Sequence, residues 1–405
     1  MVVKWKDMSS RITIGIDVGT YEVRVVVAQH GAENSLPTIL GTGRAESKGL
    51  RHGYIINTAD IIKSVSLAVK QAEKSSGIKI KKAFVSIGGV GLAGVNSQGS
   101  SIVSRADQEI TEVDMDQAIT AAEESIPASL IQNRKIIYSI PTAWKIDGKQ
   151  VLGRALGIKG VKLETKALFI TCIEPHLDDL IEAVEEAGVE VIDVVASPIA
   201  ASFVTLTKSQ KIAGCVLANI GAETVSIVVF ENSIPISLEV FPIGGSDITN
   251  DIALGLKISL EEAESIKLGG VTATSYSKKK LEEIISARLG DIFELIEAHL
   301  KKNGKSGLLP AGIIVTGGSS SIGLIEDLAR NYLRLPARIA SLNIGNSSTG
   351  PGQAGKFQIK DSSWSVAYGL CIIGNLPEEE ERLGLKKRSQ NIFKKVWKIL
   401  KQFLP

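Results

Sequence analysis

The segment GIDVGTYEVRVVV (residues 15–27) recurs as LANIGAETVSIVV (residues 217–229), with apolar and polar positions in the same order. Each copy predicts an apolar strand, a turn of the form Asx-x-Gly and a second strand rich in β-branched residues, which together make a hairpin. A chain that builds this hairpin twice is expected to have two equivalent halves. Backbone amides at such turns bind anions, so the repeat predicts a phosphate-binding cleft between the halves.

The composition is typical of a large soluble protein. The 405 residues include 44% apolar and 5% aromatic residues, which is enough for two or more lobes. No stretch approaches the roughly 18 uncharged apolar residues of a membrane-spanning helix, and the chain does not begin with an apolar signal core. The scattered cysteines are expected to be reduced thiols in a cytoplasm, and the histidines show no metal-ligand or catalytic-triad spacing.

Strands and helices alternate along most of the chain, which predicts an α/β fold. The block 83–165 interrupts this alternation and is typical of a small inserted α+β subdomain, with a turn at Pro141–Trp144. Two helices are expected between Lys278 and Lys302, and a mobile loop from Gly345 to Gly355. The expected division is a first lobe of 11–82 plus 166–210, a second lobe of 211–245 plus 310–375, a further subdomain of 246–309, a linker of 376–390 and a terminal helix of 391–405.

Three glycine-containing turns define the predicted cleft. The amides of 19–21 and 221–224 are expected to hold phosphates, and the turn after the strand at 312–316 has no side-chain bulk, so a flat base and ribose can approach it. Asp17 is expected to hold a hydrated Mg²⁺, which keeps several waters and prefers one or two carboxylates. The candidate cofactor-binding residues of these turns are Asp17, Gly19, Thr20, Tyr21, Asn219, Gly221, Ala222, Glu223, Thr224, Gly317, Gly318 and Ser319.

These motifs resemble the actin, Hsp70 and sugar-kinase superfamily and, within it, the family of the bacterial cell division protein FtsA. The resemblance runs from about Ile12 to Gly374 and includes SDITNDIA (246–253) and EAESIK (262–267). It implies an actin-like, two-lobed duplicated fold that binds ATP, with Glu264 and Lys267 close to the ribose and adenine. The block 83–165 lies where FtsA proteins carry a subdomain of their own, called 1C.

Two positions depart from the ATPases of this superfamily. Asn219 stands where many of them have an aspartate, and Ser197 stands near the place where Hsp70-like proteins carry a glutamate. Neither side chain can supply a carboxylate to activate water. Glu223 is the remaining candidate, although neighbouring phosphates would repel it. The sequence therefore predicts ATP binding with slow or no hydrolysis.

The end of the chain carries a second pattern, because residues 391–405 separate on a helical wheel into an apolar and a basic face. The apolar face consists of Ile392, Phe393, Val396, Trp397, Ile399, Leu400, Phe403 and Leu404, and the basic face includes Lys394, Lys395, Lys398 and Lys401. A charged spacer precedes it. This pattern favours a helix that lies in the interface of an anionic membrane over a helix docked on its own domain or a coiled coil. FtsA proteins end in a helix of this kind, so the resemblance implies the same.

The resemblance also implies partners. These are other copies of the chain in a filament, the C-terminal peptide of FtsZ and further division proteins, at the cytoplasmic face of the membrane at the division site. The stretch 246–309 matches the subdomain that receives the FtsZ peptide, and its candidate contacts are Lys278, Lys279, Lys280 and Arg288. The alternative is that these charges form a solvated helix start. No basic groove with interleaved aromatics indicates a nucleic acid partner.

Other functions use the same hairpins. A pilus-assembly relative of FtsA shares the fold, but the basic amphipathic tail argues against it. A sugar or acetate kinase needs a substrate base and a closed acceptor pocket in the first lobe, and the sequence shows neither. A soluble Hsp70-type ATPase would lack both the insertion and the tail.

Deleting Asn391–Pro405 is expected to move the protein from anionic vesicles to the supernatant in a pelleting assay. Trp397→Glu should do most of the same, because it places a charge among the side chains that enter the membrane interface. Equal vesicle binding by the truncated chain would refute a membrane role for this segment.

Overall fold

The computed structural model describes residues 11–31, 36–270, 275–342, 344–345 and 358–375. The predicted linker 376–390, the terminal segment 391–405 and most of the predicted loop Gly345–Gly355 lie outside the described residues. Within the described ranges, no helix has the length and apolar character needed to cross a bilayer.

The fold alternates strands and helices, as the sequence predicts. The strands are β1 (Ile12–Val18), β2 (Glu22–Gln29), β3 (Thr38–Glu46), β4 (Leu50–Arg51), β5 (Tyr54–Ile55), β6 (Lys82–Ile87), β7 (Leu92–Ile102), β8 (Arg134–Ile146), β9 (Lys149–Val151), β10 (Lys162–Ile173), β11 (Glu190–Ala196), β12 (Cys215–Ile220), β13 (Val225–Glu231), β14 (Ile234–Phe241), β15 (Ile313–Thr316), β16 (Ala337–Ile339), β17 (Ile344–Gly345) and β18 (Gln358–Ile359). The helices are α1 (Thr58–Ser76), α2 (Glu112–Glu124), α3 (Ala128–Ile131), α4 (Glu174–Glu186), α5 (Ser197–Thr205), α6 (Lys208–Ala213), α7 (Gly245–Leu256), α8 (Leu260–Lys267), α9 (Lys278–Lys302), α10 (Ile325–Leu333) and α11 (Ser365–Ile373), and a 3₁₀ turn spans Ser362–Trp364.

Two five-stranded sheets share one topology, which confirms the duplication expected from the repeated hairpin. The first has the order β11-β6-β1-β2-β3 and the second the order β14-β13-β12-β15-β16. In each sheet the hairpin is antiparallel, and a later strand, β6 or β15, joins the first strand of the hairpin in parallel. The repeats therefore occupy equivalent places, with Asp17 opposite Arg24 in one and Asn219 opposite Ser226 in the other.

The two lobes share a buried core along one side. One apolar cluster extends from Ile16 in the first sheet to Leu217 and Ile314 in the second. Helices α5 and α11 pack against each other at this junction. Helix α11 also approaches β1 closely, because a Cβ on Gly15 would lie 2.2 Å from the carbonyl oxygen of Ala367.

A separate four-stranded sheet, of order β7-β10-β8-β9, forms the inserted subdomain together with α2. Strand β6 belongs to the first lobe, whereas β10 belongs to the insertion along its whole length. The expected range 83–165 therefore begins inside β6 and ends inside β10, and sheet membership places the insertion at 88–173. The apolar run in β10 suggested a return to the first lobe, but a central strand covered on both faces has the same composition.

The turn predicted at Pro141–Trp144 is wrong, because these residues lie inside β8. Pro141 is paired with Ala167 beside a shift in the register between β8 and β10. Proline cannot donate a ladder hydrogen bond, and an irregular position of this kind accommodates it within a strand.

The prediction of two helices between Lys278 and Lys302 is also wrong, because the single helix α9 covers this stretch. Gly290 lies near its middle, at the contact with α10. A Cβ there would lie 2.5 Å from the hydroxyl oxygen of Tyr332. The glycine therefore makes room for a side chain of the neighbouring helix without ending α9.

Candidate functional site

A cavity of about 410 Å³ lies between the two lobes. Its walls come from the two hairpin turns, the segments that follow β6 and β15, the first residues of α5 and α7, and helix α8. The structure thus brings both copies of the repeat to one place. The predicted residues that line the cavity are Asp17, Gly19, Thr20, Tyr21, Asn219, Gly221, Ala222, Thr224, Glu264, Lys267, Gly317, Gly318 and Ser319.

The two hairpin turns, called here the first turn (19–22) and the second turn (221–224), close in the same way. The amide of Gly19 donates to the carbonyl of Glu22 at 3.3 Å, and the amide of Gly221 donates to the carbonyl of Thr224 at 2.8 Å. Equivalent turns on opposite walls suit a ligand that carries several phosphates, since each wall offers backbone amides to it.

Asp17 is the acidic residue at the floor of the first turn. It is 9% exposed, and the hydroxyl of Ser86 donates to its carboxylate at 2.7 Å. Burial raises the pKa of Asp17 above the usual value of 3.8, while the Ser86 hydrogen bond and the charge of Arg24 act in the opposite direction. A cation in the cavity would favour the ionised carboxylate. The position therefore fits a hydrated Mg²⁺, which needs only one or two carboxylates.

The buried ammonium of a lysine in α8 joins this helix to α7 on the opposite wall. The ammonium of Lys267 lies 2.6 Å from a carboxylate oxygen of Glu264, and it also donates to the hydroxyl of Thr249 at 2.8 Å and the carbonyl of Gly245 at 3.0 Å. Glu264 and Lys267 both line the cavity, as expected. Because the ammonium already has these protein partners, its main effect is to fix the wall that α7 and α8 form.

The two glycines of the turn after β15 differ in the space around them. Gly317 has a φ of +95°, and a Cβ there would lie 2.4 Å from the side-chain oxygen of Asn219 and 2.5 Å from the carbonyl of Ile220. A Cβ on Gly318 would meet no atom within 4 Å. The space for a base that the sequence predicts at this turn is therefore open at Gly318, whereas Gly317 is needed for backbone packing.

Glu223 does not join the other residues of its turn in lining the cavity. Its carboxylate accepts a hydrogen bond from the amide of His52, and its carbonyl oxygen lies 3.1 Å from Nδ1 of His52. The structure therefore directs the Glu223 side chain away from the cavity that the rest of its turn lines. The side chain is held by the other lobe, which also removes it as a candidate for activating water in the cavity.

Several lining residues are absent from the sequence prediction. Arg24 and Glu22 form an ion pair at 2.8 Å, and the guanidinium of Arg24 lies 5.9 Å from the ring centre of Trp364. Arg44 and Asp361 complete this end of the cavity. The predicted hairpin pairing contained a signal for Arg24 as a cavity residue, because Arg24 lies directly opposite Asp17 and shares its face of the sheet.

The predicted partner residues do not line the cavity. Lys278, Lys279 and Lys280 form the exposed first turn of α9. Arg288 differs from the expectation, because its guanidinium contacts both carboxylate oxygens of Asp251, at 2.7 and 3.1 Å, and joins α9 to α7. Only the lysines present their charge openly to solvent.

A duplicated pair of α/β lobes with a turn from each at a central cavity defines an actin-like protein. The solved structure of a PilM-PilN type IV pilus biogenesis complex superimposes with a TM-score of 0.65 at 16% identity and covers 90% of this chain and 99% of that chain. MreB 5 of Spiroplasma citri bound to AMPPNP gives a TM-score of 0.51 at 13% identity, covering 90% and 96%. At these identities the likeness shows the fold alone.

Sequence comparison is more specific. The family model for cell division protein FtsA matches residues 216–369, and the model for the SHS2 domain inserted in FtsA matches 89–171, in agreement with the extent of the inserted sheet. Cell division protein FtsA of Pseudomonas aeruginosa is 30% identical over 388 residues, covering 90% of both chains, and that of Borreliella burgdorferi is 30% identical over 410 residues, covering 96% of both. The chain belongs to the FtsA family of cell division proteins.

Asp17→Asn is expected to raise the free energy of unfolding of the ligand-free protein at neutral pH. Because the folded-state pKa of Asp17 lies above the unfolded value near 3.8, the wild type loses stability as pH rises through that interval. The advantage of the variant should therefore be present at neutral pH and vanish below pH 3.8. Urea unfolding at both pH values measures it.

The matched control is Asp178→Asn, which changes an exposed aspartate of α4. It should give no such pH-dependent gain. An Asp17→Asn variant that is no more stable than the wild type at neutral pH would show that burial does not oppose this charge.

Proposed function

We propose that this chain is an ATP-binding, membrane-associated, actin-like division protein that forms filaments and tethers the FtsZ ring to the cytoplasmic face of the membrane at the division site. The observation that carries the nucleotide part is that both hairpin turns, the Asp17 carboxylate and the turn after β15 open into one cavity. Membership of the FtsA family supports the remaining parts.

In this proposal the phosphates of ATP lie between the first and second turns. The base and ribose lie on the second-lobe wall, against the open space at Gly318 and beside Glu264. Asp17 holds a hydrated Mg²⁺, which would neutralise part of the phosphate charge. MreB 5, which has the same fold, was solved bound to AMPPNP, and this supports a nucleotide as the ligand.

Slow turnover follows from the state of the carboxylates that line the cavity. Glu22 is paired with Arg24, Glu264 is bound to Lys267, and Asp361 accepts from Ser363. Asp17 is bound to Ser86 and is the residue assigned to the cation. Among the described residues, no lining carboxylate therefore stands ready as a general base for water.

Gly318→Leu is expected to abolish Mg-dependent ATP binding in calorimetry, because the new side chain fills the open space assigned to the base. Gly318 has no positive φ, so the substitution adds no backbone strain. The wild type should bind ATP and release phosphate well below about one per second, the lower end of the usual range for enzymes.

Gly323→Leu is the control for this substitution. A Cβ on Gly323 also meets no atom within 4 Å, and this residue does not line the cavity, so ATP binding should be unchanged. Absence of ATP binding by the wild type, or rapid phosphate release, would contradict the proposal.

The membrane and filament parts of the proposal have different support. The anchor rests on the segregated apolar and basic faces of 391–405 in the sequence. The filament and the wider set of division partners rest on family membership.

The contact with the FtsZ peptide is proposed at the first turn of α9. Positive charges at the N-terminus of a helix are unfavourable because they oppose the helix dipole. The stability of α9 therefore does not explain Lys278, Lys279 and Lys280 at this position. They are exposed, and only Lys279 has a nearby acid, Glu283 at 3.9 Å, among the contacts of the described residues. A peptide with acidic residues would offset this charge.

Changing all three lysines to glutamate should weaken binding of the FtsZ C-terminal peptide strongly at low salt and modestly at high salt, because rim charges act mainly through screened, long-range attraction. Fluorescence anisotropy with the labelled peptide measures it. Helix α9 should be retained, since acids suit a helix N-terminus.

The matched control reverses Lys63, Lys70 and Lys74, which are exposed on α1 of the first lobe, and so makes the same change in net charge. It should leave the affinity unchanged. Unaltered binding by the α9 variant would remove these lysines from the contact, and no binding by the wild type would refute the tether.

A further inference from the structure

Glu223 connects the second turn to the opposite lobe through a single hairpin. The backbone amide of His52 donates to the carboxylate of Glu223, and Nδ1 of His52 lies beside the carbonyl oxygen of Glu223. His52 lies at the tip between β4 and β5. His52 and Gly53 have φ values of 48° and 86°, so both central residues of the tip are left-handed, as in tight two-residue hairpins. The second turn thus meets a short and conformationally restricted element.

The same hairpin packs against the beginning of the insertion. A Cβ on Gly53 would lie 2.3 Å from Cα of Gly89, and the amide of Val90 donates to the carbonyl of His52 at 3.1 Å. The ring of Tyr54 lies 5.0 Å from the ring of His176. The hairpin is therefore held between the second turn on one side and residues 89–90, which lead into β7, on the other.

The second turn is also bonded to the second-lobe wall of the cavity. The amides of Gly245 and Ser246, in the first turn of α7, donate to the carbonyls of Gly221 and Ala222 at 2.9 and 2.7 Å. A ligand that moves or orders the second turn consequently acts on α7 and, through Glu223, on the hairpin of the first lobe.

The insertion has a further contact, with the second lobe. A Cβ on Gly94 would lie 2.9 Å from the backbone nitrogen of Leu238, and the side-chain amide of Asn96 donates to the carbonyl of Ile236 at 3.3 Å. Strand β7 follows directly from the first lobe and also packs against β14 of the second. A change in the angle between the lobes must therefore alter either the contact of residues 89–90 with the β4–β5 hairpin or the contact of β7 with β14.

We propose that Glu223 and His52 form a clasp between the lobes that couples ATP binding in the cavity to the position of the insertion. The inference rests on the proposed nucleotide function. Phosphates beside Ala222 and Thr224 repel the carboxylate of Glu223 and so favour its position on the amide of His52. ATP therefore tightens the clasp, and the hairpin transmits this to Gly89, Val90 and β7.

Hydrogen–deuterium exchange on the full chain tests the coupling. In the wild type, Mg-ATP should slow exchange by about threefold or more in 92–102, which contributes no residue to the cavity lining, as well as in the cavity segments, which include Leu50 and Gly53. Glu223→Ala should still bind ATP in calorimetry and keep the slowing at 317–319, but lose it at 92–102. Glu223→Gln, which keeps an acceptor oxygen, should lose only part.

The control is Glu231→Ala, which removes a glutamate of the same sheet that is paired with Lys305 at 2.6 Å. It should keep the full response to ATP. The coupling is overturned if Glu223→Ala responds to ATP like the wild type at 92–102.

An arm without ATP separates the clasp from the proposed function. In ligand-free protein, Glu223→Ala should exchange faster than the wild type at 50–55, and equal exchange would overturn the clasp itself. If calorimetry detects no ATP binding by the wild type, the proposed function fails and the coupling fails with it, whereas faster ligand-free exchange in the variant would still support the contact between the lobes.

Discussion

The backbone of the second turn lies directly against the start of α7, and this contact leaves no room for a side chain. A Cβ on Gly244 would lie 2.4 Å from the carbonyl oxygen of Ala222. Asp247 accepts from the amide of Gly244 at 2.8 Å, which fixes the first turn of the helix. The carbonyl of Gly245 is then in place to receive Lys267. The second turn, α7 and α8 thus form one unit, and the second-lobe wall of the cavity depends on it.

The two halves have the same backbone arrangement at their turns but different side chains. Both turns close with the same glycine-to-carbonyl bond. The first carries the buried acid Asp17 with a hydroxyl partner, whereas the second carries Asn219 at the equivalent place, packed near Gly317. The cavity therefore has a carboxylate on the side of the first turn and an uncharged amide on the side of the second, so its two halves are not chemically equivalent.

The sequence predicted the duplicated fold and the glycine-containing turns that meet at the cavity, because hairpin turns and glycine corners are local patterns whose spacing survives in three dimensions. The prediction failed where contacts between residues that are distant in the sequence determine the structure. The run in β10 is apolar because it is central to the inserted sheet, and Gly290 serves Tyr332 without breaking α9. The partner of Glu223 and the engagement of Arg288 depend on residues that are distant in sequence, and nothing local to either residue indicates them.

Helix α11 has a consequence for synthesis of the protein. The hydroxyl of Thr13 in β1 donates to the carbonyl of Cys371 across a separation of 358 residues, and the hydroxyl of Tyr368 reaches Pro37 across 331. The central hairpin of the first lobe therefore lacks the cover of this helix until almost all of the described chain has been translated. During that interval its apolar surface is open to non-native association, so the first lobe, although made first, is completed last.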